Sequence, residues 1–349
     1  MANTDTIRVG IIGAGGIVLL RHIPGLKKID GVTLVSVCNR SRASSERIAR
    51  EHGIETIYDD WRELVNAGGT DAVFVGTWPY LHCPATLAAL AAGKHVFTQA
   101  RMAMNASEAR KMLAASRSNP HLVTQICPAP HTLAVDRTVR RLIVEGYLGD
   151  LLAVEICDGG AFIDRDAPLH WRNDESLSGM NIMTMGMLYE TILKWVGPAT
   201  RITALANTFV KARRVDDGTL RATTIPDHLV VLGELACGAQ LTLQTSSVMG
   251  HGWSGVTVYG SEATLRYKLF DDKLYAARRG AEGDDPFQPI DIPAAEFGPW
   301  RAEEEFVSAI RGQEQVTHIN FVDGVRYMEF SEAVHRSLRE QRTVAVPFQ

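Results

Sequence analysis

The sequence lacks any apolar run that approaches the roughly 18 residues of a membrane span, and its first residues have no basic segment before an apolar stretch. It also lacks an excess of charge of one sign, since 36 Lys and Arg face 40 Asp and Glu for a net charge of -4. This balance gives no electrostatic attraction to nucleic acid or to an anionic membrane. We therefore expect a cytoplasmic protein that binds a small molecule and neither a nucleic acid nor a membrane.

Cysteine is also scarce, with five widely spaced residues and no Cys-x-x-Cys pair. An odd and scattered set predicts neither a disulfide framework nor a zinc site. The acids and the histidine of residues 158–172 match no standard metal-ligand spacing, so we predict no metal. With 46% hydrophobic and 22% charged residues over 349 positions, the composition is that of a globular protein, and the length predicts two domains.

The first third of the chain alternates short β-branched runs with helical segments, which is typical of βαβ units and a parallel sheet. Glycines follow two of the predicted helices, where a left-handed cap is expected. The predicted strands cover residues 7–12, 32–38, 72–75, 95–98 and 122–126, and the helices cover 44–52, 84–92 and 106–118.

Two prolines after residue 127 indicate a crossover between domains. Beyond it, consecutive strands with few helices between them predict a mostly antiparallel sheet. We predict a Rossmann domain over 1–127 and an α+β domain over 128–349, whose C-terminal helices could pack back on the first domain. The strands of the second domain are predicted at 151–157, 202–208, 228–235, 240–247, 255–259 and 263–267, and the closing helices at 300–311 and 321–339.

A glycine-rich turn between the first strand and its helix is the main cofactor signal. Gly13, Gly15, Gly16 and Ile17 stand where a tight turn and close approach of a pyrophosphate are required. The next helix start would offer free N–H groups to phosphate. Val18 replaces the third small residue of the fingerprint, and a glycine turn of some other α/β fold is the alternative.

The end of the second strand bears on the choice of dinucleotide. NAD-binding domains usually place an acidic residue there to hold the ribose hydroxyls, but this sequence has Asn39 followed by Arg40. A guanidinium could form a charge-assisted bond to a 2′-phosphate worth about 1.5–3 kcal/mol. We therefore predict a preference for NADP(H), with NAD(H) possible. Alternatively, Arg40 stacks on the adenine or lies on a solvated turn.

The chain resembles the Gfo/Idh/MocA family over nearly its whole length. The resemblance implies a Rossmann domain, an open antiparallel sheet that often pairs subunits into a homodimer or homotetramer, and hydride transfer on sugars, cyclitols or related carbonyl compounds. It is carried by Val9-Gly10-Ile11-Ile12-Gly13-Ala14-Gly15-Gly16-Ile17, Arg21-His22-Ile23-Pro24, Ala88-Ala89-Leu90-Ala91-Ala92-Gly93-Lys94-His95-Val96 and Glu145-Gly146-Tyr147-Leu148-Gly149-Asp150.

The catalytic residues of that family are not present. Its Glu-Lys-Pro segment is replaced by Gln99-Ala100-Arg101. Its helix with an Asp and, four residues later, a His aligns with Thr184 and Leu188. A positioned acid or base contributes roughly 100-fold to 10,000-fold in rate. Three alternatives follow: other residues act as the acid and base, the reaction differs from that of the family, or catalysis is lost.

Three residues are candidates to replace the missing groups. Arg101 could polarise a substrate oxygen or bind a carboxylate, although it cannot act as a base, and it could instead hold a cofactor phosphate or pair with an acid. His170 is the best general-base candidate because its ordinary pKa is about 6.5. Tyr189 could donate a proton, although core packing would equally explain it.

The remaining site predictions concern binding. By the resemblance we assign Thr77, Trp78, His82 and Gln99, with Arg101, to the cofactor. Ordinary turn or core roles are the alternative for the predicted substrate contacts. These contacts are His131, Trp171, Arg172, Thr184, His251 and Trp253.

Three functions fit these observations. The first is an NAD(P)-dependent oxidoreductase of a sugar-like, cyclitol-like or carboxylated hydroxy or keto compound. The second is a redox-neutral lyase or glycoside hydrolase that uses bound nicotinamide transiently. The third is a non-catalytic cofactor-binding protein.

Overall fold

The computed structural model describes residues 6–283 and 285–346. The chain divides into two compact units, residues 1–128 with 301–325, and residues 129–300 with 326–349. The predicted boundary placed the segment 301–325 in the second domain, with the provision that the C-terminal helices could pack back on the first domain, and this segment belongs to the first unit. Both polar and apolar contacts hold it there: Glu303 is bonded to His22, Glu305 accepts a hydrogen bond of 2.8 Å from Gln125, and Phe306 packs against the aromatic rings of the sheet.

The elements follow the predicted alternation and then the predicted run of strands. The strands are β1 (Ile7–Ile12), β2 (Val32–Cys38), β3 (Thr56–Ile57), β4 (Ala72–Val75), β5 (His95–Thr98), β6 (Thr124–Ile126), β7 (Leu151–Gly160), β8 (Ala199–Asn207), β9 (Ala212–Arg214), β10 (Leu220–Ala222), β11 (His228–Leu235), β12 (Gln240–Gly250), β13 (Gly255–Gly260), β14 (Ala263–Lys268), β15 (Leu274–Arg278), β16 (Gln288–Ile290) and β17 (Val344–Ala345).

The helices are fewer than the strands in the described part of the chain. In chain order they are α1 (Ile23–Leu26), α2 (Arg42–His52), α3 (Trp61–Asn66), α4 (His82–Ala91), α5 (Ala106–Ser118), α6 (Asp136–Val144), α7 (Glu175–Ser178), α8 (Met185–Trp195), α9 (Ala302–Ile310) and α10 (Phe321–Glu340). Single helical turns form at Val18–His22, Pro79–Leu81 and Trp171–Asn173. In the part of the chain that the structure describes, no helix is both long and apolar enough to cross a membrane.

The first unit is built on a parallel sheet in the order β3-β2-β1-β4-β5-β6, which confirms the predicted Rossmann fold. Strand β1 lies in the middle of the sheet, with β2 and β3 on one side of it and β4 to β6 on the other. Loops that leave β1 and β4 therefore diverge to opposite faces and open a crevice at the carboxyl ends of these strands.

Both faces of this sheet are covered, as expected for buried parallel strands. In β4, Val73 and Val75 point into a cluster formed with α3 and α4, whereas Phe74 points to the other face. There Phe74 stacks on Phe97 with ring centroids 4.5 Å apart, and Phe306 of α9 packs edge-on against both. This packing fixes the strand ends that carry the candidate site.

The second unit contains a nine-stranded sheet in the order β16-β15-β14-β13-β7-β12-β11-β8-β17. Only the β7–β12 pair is parallel among the described pairings of this sheet, so the prediction of a mostly antiparallel sheet is confirmed. Helix α8 packs against β7 and β12. The strand residues that face this helix are apolar for most of their length, including Val154, Ile156 and Leu243.

Candidate functional site

The glycine turn after β1 has the backbone shape that the sequence predicts. Gly13 has a φ of 83°, in the left-handed region that favours glycine, and its N–H donates to the Cys38 carbonyl at 2.8 Å. A Cβ atom built on Gly15 or Gly16 would meet no heavy atom within 4 Å. The turn therefore presents bare backbone to open space, which is the space that a pyrophosphate would need.

The helix after this turn departs from the usual geometry at the position where the fingerprint departs. Val18, in place of the third small residue, is fully buried and begins a π-helical turn that ends at His22. A π-helical turn widens the helix locally, so the larger side chain is accommodated by the backbone.

The end of β2 is tied to the glycine turn by a side chain. Asn39 accepts a hydrogen bond of 2.6 Å from the Ala14 N–H and donates one of 3.0 Å to the Ser44 hydroxyl. Ser41 caps α2 by accepting from the Ser44 N–H at 3.4 Å. Asn39 is thus held in place from both sides at the start of α2.

Arg40 projects from the same strand end. Its side chain is exposed, and the guanidinium carbon lies 5.4 Å from the ring centroid of Trp78. The neighbouring arginines are neutralised, because Arg42 bonds to Asp59 at 3.0 Å and Arg62 to Asp60 at 3.3 Å. Within the described residues Arg40 forms no ion pair, so its charge is available at the cavity.

These strand ends enclose one cavity of about 600 Å³, which lies entirely within the first unit. Six of the predicted cofactor residues line it together: Gly13, Gly15, Asn39, Arg40, Thr77 and Trp78. The other lining residues are Ile12, Ala14, Cys38, Ser41, Ser44, Asp59, Asp60, Trp61, Arg62, Gly76, Tyr80 and Leu81.

Several of those lining residues were not predicted. Ser44 and Ser41 belong to the first turn of α2, and a helix start directly after β2 was a signal that could have found them. Trp61 begins α3, and Tyr80 lies in the single turn after β4. Their participation depends on how the segments after β3 and β4 fold, which no local pattern in the sequence indicates.

His82 supports the loops next to the cavity and does not line it, so its contact with the cofactor stays a prediction. It is fully buried, and its two ring nitrogens lie 2.9 Å from the Arg101 carbonyl and 3.0 Å from the Thr77 carbonyl. Burial lowers the pKa of His82, with the carbonyl contacts opposing that shift. The ring therefore links the loops after β4 and β5 from behind the cavity.

Gln99 and Arg101 lie next to this link but do not line the cavity. Gln99 is 7% exposed and its side-chain amide contacts the ring of His22, whose other nitrogen contacts the carboxylate of Glu303. Arg101 is 2% exposed. Gly16 and Ile17 are likewise outside the lining set, so for these four residues a cofactor contact stays a prediction.

In the second unit the structure corrects the predicted role of Tyr189. Its ring is 1% exposed and stacks on Phe330 with centroids 3.7 Å apart. Its hydroxyl accepts a hydrogen bond of 2.8 Å from the Ala199 N–H, and burial raises the pKa of the phenol well above its usual range. A phenol that is buried and bonded in this way serves packing, because the core around it leaves no room for a ligand.

His170, Trp171 and Arg172 form one surface group. The Arg172 guanidinium lies 4.1 Å from the Trp171 ring centroid, and the two aromatic rings are 5.4 Å apart. His170 Nδ1 accepts from the Arg172 N–H at 3.3 Å, which leaves Nε2 to carry the proton. Partial desolvation and the charge of Arg172 lower the pKa of His170, so the neutral form predominates near pH 7.

The remaining predicted substrate residues lie in different surroundings. His251, in a tight turn with a φ of 56°, packs edge-on against Phe162, and Trp253 is 45% exposed. His131 is 4% exposed and packs 4.7 Å from the Phe270 ring. Thr184 precedes α8 and donates a hydrogen bond to Asp158 at 2.7 Å. Across residues 6–283 and 285–346, no group of three His, Cys, Asp or Glu side chains is arranged to hold a metal ion.

A Rossmann sheet with a glycine turn and a cavity at its carboxyl edge defines a dinucleotide-binding protein. Residues 7–125 match the profile described as "Oxidoreductase family, NAD-binding Rossmann fold", and residues 137–266 match that of the Gfo/Idh/MocA C-terminal domain. The chain belongs to the Gfo/Idh/MocA family of NAD(P)-dependent oxidoreductases.

Two curated relatives of this chain are named as reductases of sugar compounds. A 1,5-anhydro-D-fructose reductase of Ensifer adhaerens is 33% identical over 156 residues, which cover 43% of this chain and 44% of that protein. A dTDP-3,4-didehydro-2,6-dideoxy-alpha-D-glucose 3-reductase of Streptomyces antibioticus is 24% identical over 92% of this chain and 98% of that protein.

Solved structures share the whole fold at low identity. A levoglucosan dehydrogenase in complex with NADH and L-sorbose superimposes with a TM-score of 0.83, at 19% identity, over 98% of this chain and 99% of that chain. Its apo form gives a TM-score of 0.86 at 18% identity, over 99% and 100% of the two chains.

Proposed function

We propose that this protein is an NAD(P)-dependent oxidoreductase that prefers NADP(H) and acts on a hydroxyl or carbonyl group of a sugar-like or cyclitol-like substrate. The observation that carries the proposal is the cavity at the ends of β1, β2 and β4. The curated relatives named above are reductases of sugar compounds, which supports a polyhydroxylated substrate.

The cavity residues fit a dinucleotide. The bare backbone at Gly15 and Gly16 would hold the pyrophosphate, and Asn39 with the first turn of α2 would hold the adenosine ribose. When bound, the nicotinamide accepts or supplies a hydride. The protein's part is to bind the dinucleotide, orient it and exclude water.

The charges around the cavity favour a 2′-phosphate. Asn39 is neutral where NAD-binding domains usually have an acid. Asp59 and Asp60 are paired with Arg42 and Arg62, whereas Arg40 has no acidic partner within the described residues. A guanidinium in this situation gains a charge-assisted bond from a phosphate, worth about 1.5–3 kcal/mol.

The test is an equilibrium titration of the purified protein with NADPH and with NADH, followed by nicotinamide fluorescence. We expect tighter binding of NADPH, and a loss of affinity for NADPH of roughly 10-fold to 100-fold in Arg40→Gln. Arg47→Gln, which removes an exposed charge elsewhere on α2, is the matched control and should bind as the wild type does. Failure of the wild type to bind either dinucleotide would refute the proposal.

We also propose that two or four copies associate through the outer face of the large sheet. Leu205 of β8 and Leu232 of β11 are 76% and 54% exposed on this face. Their strands are neighbours, with Leu205 paired to Val230. Exposed leucines on adjacent strands form an apolar patch of the kind that association buries.

A further inference from the structure

The strand β7 carries a charged group on its core-facing side. Side chains alternate between the faces of a strand, so Asp158 points to the same side as Val154 and Ile156, which are each 1% exposed. This is the side that packs against α8. Asp158 itself is half-buried. The apolar row on β7 therefore ends in a carboxylate.

The carboxylate is held by the residue that replaces the helix acid of the family. The Thr184 hydroxyl donates to Asp158 Oδ2 at 2.7 Å. Since a hydroxyl has one proton, the contact of 2.8 Å between Thr184 and Thr245 requires that Thr245 donates to Thr184. A carboxylate oxygen thus lies within hydrogen-bond distance of the position at which the resemblance places an aspartate.

A second hydroxyl lies near the other carboxylate oxygen. The Ser254 hydroxyl is 3.2 Å from Asp158 Oδ1, but its single proton has a nearer acceptor in the Gly159 carbonyl at 2.7 Å, and the Gly159 N–H donates to it at 3.0 Å. Asp158 has no Lys or Arg partner within the described residues. Oδ2 therefore accepts the Thr184 proton, and Oδ1 can accept a hydrogen bond from another donor.

An imidazole with an unsatisfied nitrogen lies in the same unit. His131 is 4% exposed, and its Nδ1 has no hydrogen-bond partner among the described residues. Burial and the charge of Lys194 lower the pKa of His131, although the negative charge of Asp158 opposes the shift. The ring is therefore neutral near pH 7 and leaves the charge of Asp158 uncompensated.

We propose that Asp158 is the catalytic acid–base group of the second unit and that Thr184 is its positioning residue. In the oxidation direction the O–H bond of a substrate alcohol breaks and its proton passes to Asp158. The adjacent C–H bond would break with its electron pair as a carbonyl forms, and bound NAD(P)+ would be the oxidant that takes the hydride. In reduction, protonated Asp158 returns the proton. This inference rests on the proposed function.

The experiment uses the full-length protein with NADP and NAD, and a panel of hexoses and inositols as probe substrates. Asp158→Asn keeps the size and the Thr184 contact but removes the charge. We expect kcat to fall roughly 100-fold to 10,000-fold, with NADPH affinity and melting temperature unchanged. Asp158→Glu should recover part of the loss. Thr184→Val should shift the acidic limb of the pH profile of kcat/KM, an effect that a purely structural role would not produce.

Asp217→Asn is the matched control, because this exposed carboxylate lies in the turn between β9 and β10 and should have no effect. Turnover by Asp158→Asn at close to the wild-type rate would overturn the inference while leaving the proposed function intact. A wild type that binds NADPH but oxidises none of the probes would count against the proposed function. In that case saturation-transfer NMR with myo-inositol and D-glucose would test the role of Asp158. A ligand signal that is present in the wild type and in Asp217→Asn but lost in Asp158→Asn would support the inference, and any other result would overturn it.

Discussion

The side-chain oxygen of Asn39 accepts a hydrogen bond of 2.6 Å from the backbone N–H of Ala14. This single bond joins the end of β2 to the glycine turn after β1. Asn39 also keeps neutral the position at which NAD-binding domains usually carry an acid. An aspartate there would preserve the bond to Ala14, because a carboxylate oxygen is an equally good acceptor, and would add a negative charge. Its second oxygen could accept a hydrogen bond from the Ser44 hydroxyl in place of the bond that Asn39 donates.

Asn39→Asp should therefore weaken NADPH binding without unfolding the protein. Repulsion between the new carboxylate and a 2′-phosphate should raise the Kd for NADPH roughly 10-fold to 100-fold, while the Kd for NADH stays the same or falls. The measurement is the same fluorescence titration, with Asn207→Asp in the second unit as control. Equal losses for the two dinucleotides would show that Asn39 does not read the phosphate.

An added methyl group should lower NADPH affinity at one glycine of this turn and stability at the other. Gly15→Ala places a Cβ in open space, so its melting temperature should match the wild type while NADPH affinity falls at least roughly tenfold. Gly13→Ala forces a residue with a Cβ to a φ of 83°, with that Cβ 2.7 Å from Thr77 Cγ2, and should lose about 1–3 kcal/mol of stability.

Thermal unfolding and the dinucleotide titration, run on both variants, separate the two effects. Unchanged affinity in a folded Gly15→Ala protein would mean that no phosphate approaches this backbone. A fully stable Gly13→Ala protein would mean that the turn can adopt another conformation.

The cofactor cavity could be predicted from the sequence because it is assembled from strand ends. Gly13, Asn39 and Thr77 each follow a short buried strand, and the carboxyl ends of parallel strands meet at one edge. Local patterns gave the strands, and the parallel pairing followed from the alternation with helices. The lining residues that were not predicted, such as Trp61 and Tyr80, do not directly follow a predicted strand, so the rule that strand ends meet at one edge does not locate them.

The polar contacts of the second unit were beyond prediction for a different reason. The predicted strand ended at residue 157, one residue before Asp158, although β7 continues to Gly160 and the alternation with Val154 and Ile156 contained the signal. Its partner Thr184 is 26 residues away, and in the first unit Glu303 contacts His22 across 281 residues. Contacts of this kind depend on how elements pack, which periodicity does not encode.

Buried histidines should make the protein sensitive to mild acid. Burial lowers the pKa of His82 and of His131 in the folded state relative to the unfolded value of about 6.5. The folded protein then binds fewer protons than the unfolded chain, so stability is highest above pH 6.5 and falls as pH drops below it. Each ring contributes up to about 1.4 kcal/mol per pH unit.

The measurement is the free energy of unfolding by urea at pH 7.5, 6.5, 5.5 and 5.0. We expect a decline that begins near pH 6.5, well above the range in which carboxylates titrate. His95→Gln should flatten the curve, since burial also lowers the pKa of His95 and a glutamine oxygen can replace its acceptor contact with the Val123 N–H. A constant free energy of unfolding between pH 7.5 and 5.5 would contradict the argument.

The outer face of the large sheet should determine the oligomeric state. A glutamate at Leu205 or Leu232 would place an unpaired charge within a buried interface, which costs several kcal/mol. Leu205→Glu and Leu232→Glu should therefore convert the assembly to a protomer of 38.3 kDa, as measured by light scattering after size-exclusion chromatography. Leu220→Glu is the control, because this leucine is 60% exposed but belongs to the separate β9–β10 hairpin. If all three variants keep the wild-type mass, the association surface lies elsewhere, and a wild type that is already a protomer would remove the basis for proposing it.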